Sequence, residues 1–274
     1  MVLESIIDPF NAEKKPWELF FIGFVYASVA VFLSLWIFRQ HASLVMVFLT
    51  VIACVPLIYN TIKLEEGKDL LIEKESTLLK EHAKALEFLI FLFLGITISL
   101  AVWYIVLPTN ITQTIFSVQT KTIAEINSQI TGNVIAQLGL FVKVFFNNIK
   151  VMIFCLLFSF IYGVGAIFIL TWNASVISAA IGNFIRSNLS SVSSYFTIAP
   201  LGLLRYLLHG IPEIAAYFTA GLAGSIISIA VIRHDFGSKK FEHIILDSTD
   251  LMILSLAILF FAALIEVFIT PLLF

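Results

Sequence analysis

Charged residues are scarce in this chain. Asp, Glu, Lys and Arg make up 12% of its 274 residues, whereas hydrophobic residues make up 60%. A soluble domain of this length needs a far more polar surface, so the composition predicts a polytopic membrane protein. The net charge of −2 provides no basic field that would attract nucleic acid, and we expect no nucleic-acid partner.

Cysteine and catalytic motifs are also lacking. The two cysteines, Cys54 and Cys155, lie within apolar runs, which predicts buried side chains and implies neither a disulfide framework nor a metal pair. The sequence has no Gly-rich phosphate loop, nucleophile elbow or zinc-protease motif. His234 and His243 flank a charged loop without the spacing of metal ligands. We therefore expect no enzyme, no catalytic residue, no cofactor and no metal site.

Long apolar runs take up most of the chain and predict an all-α, polytopic helix bundle with about seven crossings. The predicted crossings are Trp17–Phe38, Leu44–Ile62, Phe88–Leu107, Asn148–Thr171, a fifth made of Asn173–Ile185 and Pro200–His209, Ile214–Ile232 and Leu251–Phe274. The two pieces of the fifth crossing are each too short to span. They predict a discontinuous crossing whose non-helical backbone is sheltered by protein or water.

Two polar segments interrupt this pattern. Lys63–Glu87 is rich in charge and has leucines at helical spacing, which predicts a cytoplasmic amphipathic helix with a break at Gly67. Thr109–Gln137 is rich in Thr, Ser, Asn and Gln and predicts a helix against the membrane surface or another part of the protein. The distribution of Lys and Arg places the N-terminus in the cytoplasm and the C-terminus outside the cell membrane.

Arg205, His209 and Glu213 form the most distinctive pattern, because their spacing puts all three on one face of a helix. Gly210 and Pro212 predict a helix break between the second and third of them. The three side chains could lock this break as a paired network, relay a proton or ion, or reach the interface with no interior role. We predict that Glu213 is ionised and contacts Arg205 or His209 across a rigid elbow.

Three asparagines complete the candidate polar site. Asn147 and Asn148 stand where the fourth crossing is predicted to begin, and Asn173 stands just after its predicted end. Each is a candidate helix cap, and a role of their amides in ligand binding is the alternative. Glu266 is isolated in the last apolar run, and we expect its partner to lie inside the bundle.

An ordered set of residues resembles the stage II sporulation protein M family of integral membrane proteins. The set is Phe146-Asn147-Asn148, Gly163, Gly165, Asn173, His209-Gly210-x-x-Glu213, Gly221 and Gly224. The family often has Gly where this chain has Ala174 and Pro where it has Leu208. The resemblance covers about residues 88–274, so we interpret residues 88–274 as a five-span core. Residues 1–87 are an added tail, two-span hairpin and charged helix.

The resemblance implies a membrane scaffold. In spore-forming bacteria the family member is implicated in assembling cell-wall-degrading partners during engulfment. We therefore expect a non-enzymatic membrane protein that organises partner proteins or lipid. Lys63–Glu87 and Thr109–Gln137 would present the contacts, and assembly into homo-oligomers is compatible with this role. The alternative is a transporter or channel-like protein with a polar site at the broken fifth crossing.

Overall fold

The computed structural model describes residues 15–71, 75–127, 134–162, 165–188, 195–233 and 237–273. Within these ranges the chain is helical and has no strand, which confirms the all-α class. The helices are α1 (Glu18–Ile37), α2 (Ala42–Leu71), α3 (Glu75–Val106), α4 (Thr109–Ile115), α5 (Ser117–Asn127), α6 (Val134–Tyr162), α7 (Ala166–Asn188), α8 (Tyr195–Arg233), α9 (Lys239–Leu264) and α10 (Thr270–Leu273). A 3-10 turn at Arg39–His41 precedes α2, and a π-helical turn at Ile265–Ile269 joins α9 to α10.

Seven of the described helical segments are long and apolar enough to cross a membrane. They are Glu18–Ile37, Arg39–Glu65, Lys80–Val106, Gln137–Ile161, Ala166–Asn188, Thr197–Ile232 and Phe241–Leu273. Each has at least the roughly 20 residues that a helix needs to cross the hydrocarbon layer. The chain is therefore a multi-pass membrane protein with seven crossings, as the composition predicts.

The first and third crossings pack closely at glycines, which have no side chain. A methyl group added to Gly95 of α3 would collide with the carbonyl oxygen of Phe20 in α1, and one added to Gly23 of α1 would collide with that of Leu92 in α3. Between lipid-embedded helices, such close backbone approach is a main source of attraction. The first crossing is thus held directly against the third.

The predicted discontinuity of the fifth crossing is wrong. α7 is an unbroken helix that crosses by itself, and α8 runs as one helix through both Pro200 and Pro212. The stretch around residues 186–195, predicted to lie within one crossing, connects two crossings. A proline costs a helix one backbone hydrogen bond, but transmembrane helices tolerate it because packed neighbours and side chains compensate.

The fourth crossing is displaced from the predicted Asn148–Thr171. It begins earlier, since α6 starts at Val134, and it ends before Gly165. Gly165 lies in the turn into α7, where a methyl group would collide with the Phe158 carbonyl oxygen. The predicted Gly163 lies outside the described residues. Apolar sequence continues across this turn, and hydropathy alone therefore does not locate it.

The charged segment Lys63–Glu87 is helical but is not one helix. α2 continues past the second crossing to Leu71, through Gly67, and α3 begins at Glu75 before the third crossing. The segment thus forms the two arms of a helical hairpin. Glu65 of α2 joins the arms, because its carboxylate lies 2.8 Å from Nδ1 of His82 in α3. The same carboxylate lies 2.7 Å from Nζ of Lys68 on its own arm.

The polar segment Thr109–Gln137 is predicted to lie against the membrane surface or against another part of the protein. Its described residues adopt the second placement. The segment contains α4, α5 and the start of α6. Gln119 of α5 is fully buried and accepts a hydrogen bond of 2.7 Å from Ser43 of α2. Its amide nitrogen donates to Ser175 of α7 at 3.1 Å. One side chain therefore ties the segment to two crossings.

Candidate functional site

A polar stripe runs along the middle of α8. His209, Glu213 and Tyr217 follow one another at four-residue spacing and share one face of the helix. The Tyr217 hydroxyl donates a hydrogen bond of 2.8 Å to Oε1 of Glu213. Tyr217 is 0% exposed, whereas His209 and Glu213 are partly buried. Glu213 lies near the centre of the crossing Thr197–Ile232, far from bulk water.

The last crossing brings a second carboxyl group to this stripe. α9 runs antiparallel to α8, since Ser255 donates to the Ala216 carbonyl at 2.7 Å and Thr270 Oγ1 lies 3.4 Å from His209 Nδ1. One turn from Thr270 along this antiparallel pair, Glu266 comes opposite Glu213. Glu266 lies in the π-helical turn Ile265–Ile269, a local geometry that is frequent at functional sites.

α6 contributes an amide to the same level. Asn148, Met152, Cys155 and Ser159 are all buried and recur on one face of α6. That face meets α8, because a methyl group on Gly221 would lie 3.4 Å from Ser159 Oγ. Asn148 is 6% exposed, and its Nδ2 has no hydrogen-bond partner among the described residues. Asn148 therefore lies on the side of α6 that faces α8.

α7 contributes a second amide. A methyl group on Gly221 would lie 2.8 Å from Ala166 Cβ, and one on Gly210 would lie 3.9 Å from Ile177 Cδ1. These contacts set α7 antiparallel to α8. Asn173 stands between Ala166 and Ile177 and is therefore level with Glu213. Its Nδ2 is buried and, like that of Asn148, has no partner among the described residues.

We refer to these side chains together as the polar layer. Its members are Asn148, Asn173, His209, Glu213, Tyr217, Glu266 and Thr270. Within the layer, the Glu213 carboxylate accepts its hydrogen bond from an uncharged group, the Tyr217 hydroxyl. An isolated carboxylate at membrane depth is costly. The layer therefore combines two acids with two amides, each of which has a buried Nδ2 without a hydrogen-bond partner among the described residues.

Some predicted site residues lie elsewhere or play other roles. Arg205 packs over the ring of Phe184, with its guanidinium carbon 5.3 Å from the ring centroid. The predicted contact of Glu213 with Arg205 or His209 is wrong, since Glu213 is bonded to Tyr217 and His209 faces Thr270. Without an elbow in α8, no change of helix direction brings the cation and the acid together.

The two residues predicted to break the helix are part of one continuous helix instead. Gly210 and Pro212 both lie within α8, and a methyl group on Gly210 would lie at an ordinary contact distance of 3.9 Å from Ile177 of α7. Asn147 is exposed on α6 and does not join the polar layer. Neither Asn147 nor Asn148 caps a helix, because both lie in the interior of α6, and Asn173 lies in the interior of α7.

Sequence reasoning did not single out Tyr217 and Thr270. Tyr217 continues the spacing of His209 and Glu213 by one more turn, which is a signal that the pattern contains. Thr270 has no such signal, because its place beside His209 depends on the register between α8 and α9.

A small cavity in the described bundle is lined by residues outside the polar layer. It has a volume of about 20 Å³ and is lined by Ile58, Ile62, Leu89, Ser159, Ala166, Ile167, Leu170, Phe218, Gly221, Leu222 and Ser225. This is room for about one water molecule. Among the described residues, moreover, no group of three or more His, Cys, Asp or Glu side chains could hold a metal ion.

Comparison with known proteins gives one family. The family model described as "Stage II sporulation protein M" matches residues 88–271, more than half of the chain. The matched region contains every member of the polar layer. No curated protein and no solved structure matches the chain.

Proposed function

Because the chain belongs to the stage II sporulation protein M family, we propose that it is a non-enzymatic membrane scaffold that organises partner proteins or lipid. The close packing of the crossings is the observation that carries this proposal. A scaffold needs a rigid bundle with contact surfaces at its ends, whereas a transporter needs a polar path through it.

The interior of the bundle has the character of a rigid support. A methyl group on Gly224 of α8 would collide with the Leu156 carbonyl oxygen of α6, as at the contact between α1 and α3. Buried hydroxyl groups join neighbouring helices, as Ser178 does by donating to the Thr97 carbonyl at 2.8 Å. The cavity beside Ser159 and Gly221 is small and mostly apolar. These features favour a support over a solute channel.

The ends of the bundle offer the contact surfaces. At one end, the hairpin formed by Lys63–Glu87 exposes Lys80 and Lys84, which lie where the third crossing begins. Thr109–Gln137 exposes Ser117 while Gln119 fixes it to the bundle. We propose that partner proteins bind these two segments, and that the first faces the cytoplasm. Exposed apolar side chains such as Phe21 and Phe32 suit contact with lipid or with a second copy.

A transporter or channel-like activity is the second candidate, and the polar layer is the observation that favours it. Two acids in mid-membrane resemble the ionisable groups that mark ion pathways. Reconstitution of the purified protein into liposomes distinguishes the candidates. A scaffold predicts proton, sodium and solute fluxes equal to those of protein-free liposomes. A flux that Glu213→Gln abolishes and that the exposed control Glu242→Gln retains would contradict the scaffold function and support the transporter function.

A further inference from the structure

We propose that a transmembrane helix of a partner protein docks on the exposed side of α6 around Lys150, and that this helix carries an Asp or Glu in mid-membrane. This docking surface extends the scaffold function, on which it rests, because it lies within the membrane and not in the two polar segments of the chain.

Lys150 is exposed near the middle of the fourth crossing. It stands thirteen residues after Gln137 and eleven before Ile161, the two ends of that crossing. These separations correspond to about 20 Å and about 17 Å along the helix. Phe146 and Phe154, one turn before and one turn after Lys150, are exposed as well. The lysine is therefore surrounded by the apolar surface that faces lipid.

The packing of the neighbouring crossings gives the same depth. The rings of Phe145 in α6 and Phe260 in α9 pack with 5.6 Å between their centroids. The fourth and seventh crossings run in opposite directions, so Lys150, five residues after Phe145, comes about level with Ser255. Ser255 donates to the Ala216 carbonyl, which lies near the centre of the sixth crossing. Lys150 is thus in mid-membrane by either measure.

The side chain of Lys150 points away from the acids of the adjoining helices. Asn148 faces α8, and a residue two positions further along a helix points about 200° away from it. Phe141 faces α9, and Lys150, nine positions further, points about 180° away from it. α8 carries Glu213, the π-helical turn after α9 carries Glu266, and α7 contains no acid. Within the described part of the chain, Lys150 makes no ion pair.

An ammonium group in this position needs an anion from outside the chain. Lipid tails offer it no polar group, and an unpaired charge at membrane depth is costly. A lipid phosphate is out of reach, because a lysine side chain extends only about 6 Å and the nearer end of the crossing is about 17 Å away. A carboxylate on a helix at the same depth provides both the opposite charge and hydrogen-bond acceptors.

Asn147 also favours a protein as the occupant. It is exposed on α6 about one turn before Lys150, and its amide can donate and accept hydrogen bonds. Such side chains bond across helices within membranes, whereas lipid tails cannot replace those bonds. A second copy of the chain fits less well, because a two-fold contact through α6 would bring Lys150 against its own equivalent at the same depth. The partner is therefore a different protein.

Photo-crosslinking of the full chain in the membranes of the native cells tests this surface. A photoreactive residue replaces Phe154, and mass spectrometry identifies the crosslinked segment. We expect one protein, joined through a transmembrane helix that has an Asp or Glu near its middle. Lys150→Met should lower the yield about tenfold, and Lys150→Arg should retain it. A probe at Val29, 50% exposed in the first crossing, is the control and should give lipid adducts.

The acid of the partner helix and the folding of the variant are tested next. Changing that acid to its amide should lower the yield as Lys150→Met does. Exchange of the two charges, Lys150→Glu with the partner's acid changed to Lys, should restore it. Purified Lys150→Met should keep its Tm in detergent, because Lys150 has no ion pair in the described chain. A fall of about 5 °C or more would show an internal partner and overturn the proposal.

Lipid adducts alone at Phe154 would also overturn it. So would an adduct with a second copy, an adduct with a segment that lacks an acid, or a yield that Lys150→Met leaves unchanged. The scaffold function is judged separately, by a photoreactive residue at Lys84 of the hairpin. If Lys84 gives a protein adduct while Phe154 gives only lipid, the scaffold function stands and the docking surface on α6 is wrong.

Discussion

The hydroxyl of Tyr217 donates a hydrogen bond of 2.8 Å to the carboxylate of Glu213, one helical turn earlier on α8. The bond satisfies two groups that have no water to replace it. It also orients the carboxylate within the polar layer. Several consequences can be measured without knowledge of a partner.

Replacing Tyr217 by Phe should destabilise the protein, because the ring is kept while an acceptor at membrane depth loses its donor. The expected loss is about 1–3 kcal/mol in the free energy of unfolding. Tyr59→Phe is the matched control, since Tyr59 is 51% exposed. Thermal unfolding in detergent gives both values, and equal Tm shifts for the two variants would refute the structural role of this bond.

Gly95→Ala should loosen the contact between the first and third crossings. The new methyl group meets the Phe20 carbonyl oxygen, which belongs to a packed backbone and cannot move freely. Overpacking of this kind costs about 1–3 kcal/mol.

Gly139→Ala is the matched control for this change, because Gly139 also lies within a helix but has open space where the methyl group would be. Alanine should stabilise that position by about 0.5–1 kcal/mol. Thermal unfolding of the two variants should thus give shifts of opposite sign. A loss of similar size in both would mean that the close approach at Gly95 is unimportant.

The structure separates what the sequence could predict from what it could not. Hydropathy and helix length were enough for the class and for seven crossings, because burial in lipid demands long apolar helices whatever their partners. Pro212 suggested a broken helix, but α8 continues through it, since packing by its neighbours offsets a local preference. The turn at Gly165 was missed because apolar residues continue on both sides of it.

The candidate site was predicted in composition more than in geometry. Asn148, Asn173, His209 and Glu213 were named from the sequence. The structure puts Asn173 level with Glu213 and Asn148 on the side of α6 that faces α8. Glu266 was expected to have a partner inside the bundle, and it lies in the π-helical turn after α9, about level with Glu213. The pairing of α8 with α9 decides these neighbours, and a linear pattern contains no information on helix order or register.

Glu65→Gln should weaken the hairpin formed by Lys63–Glu87. The Glu65 side chain is 0% exposed and serves both His82 and Lys68. Breaking a fully buried ion pair costs about 3–5 kcal/mol, and the partial exposure of Lys68 lowers that figure here. Hydrogen exchange should therefore accelerate in the hairpin. Glu87→Gln, at an exposed position, is the control, and equal exchange in both variants would contradict the prediction.

Gln119→Ala should release α4 and α5 from the bundle. The change removes the hydrogen bonds to Ser43 and Ser175, which connect α5 to two crossings. We expect faster hydrogen exchange and faster proteolysis within Thr109–Asn127, with little change in α8. Gln113→Ala alters an exposed glutamine of α4. If it loosened the segment as much as Gln119→Ala, the two buried hydrogen bonds would not be what holds it.

The predicted orientation puts the hairpin inside and Ser117 outside. Single cysteines at Thr77 and Ser117, both exposed, should react with an impermeant maleimide from opposite sides of the membrane. Cys54 and Cys155 are buried and should stay unlabelled in folded protein. Labelling of Ser117→Cys from the cytoplasm, or of both positions from one side, would reverse or disprove this topology.

Photo-crosslinking in the membranes of the native cells tests the scaffold role most directly. A photoreactive residue at Lys84, exposed on the hairpin, is compared with one at Phe261, which is 62% exposed on the apolar surface of α9. The scaffold predicts that Lys84 gives one discrete protein adduct, which Glu65→Gln weakens, and that Phe261 gives lipid adducts or a second copy of the chain. If neither Lys84 nor a probe at Ser117 yields a protein adduct above the level at Phe261, the central claim is contradicted.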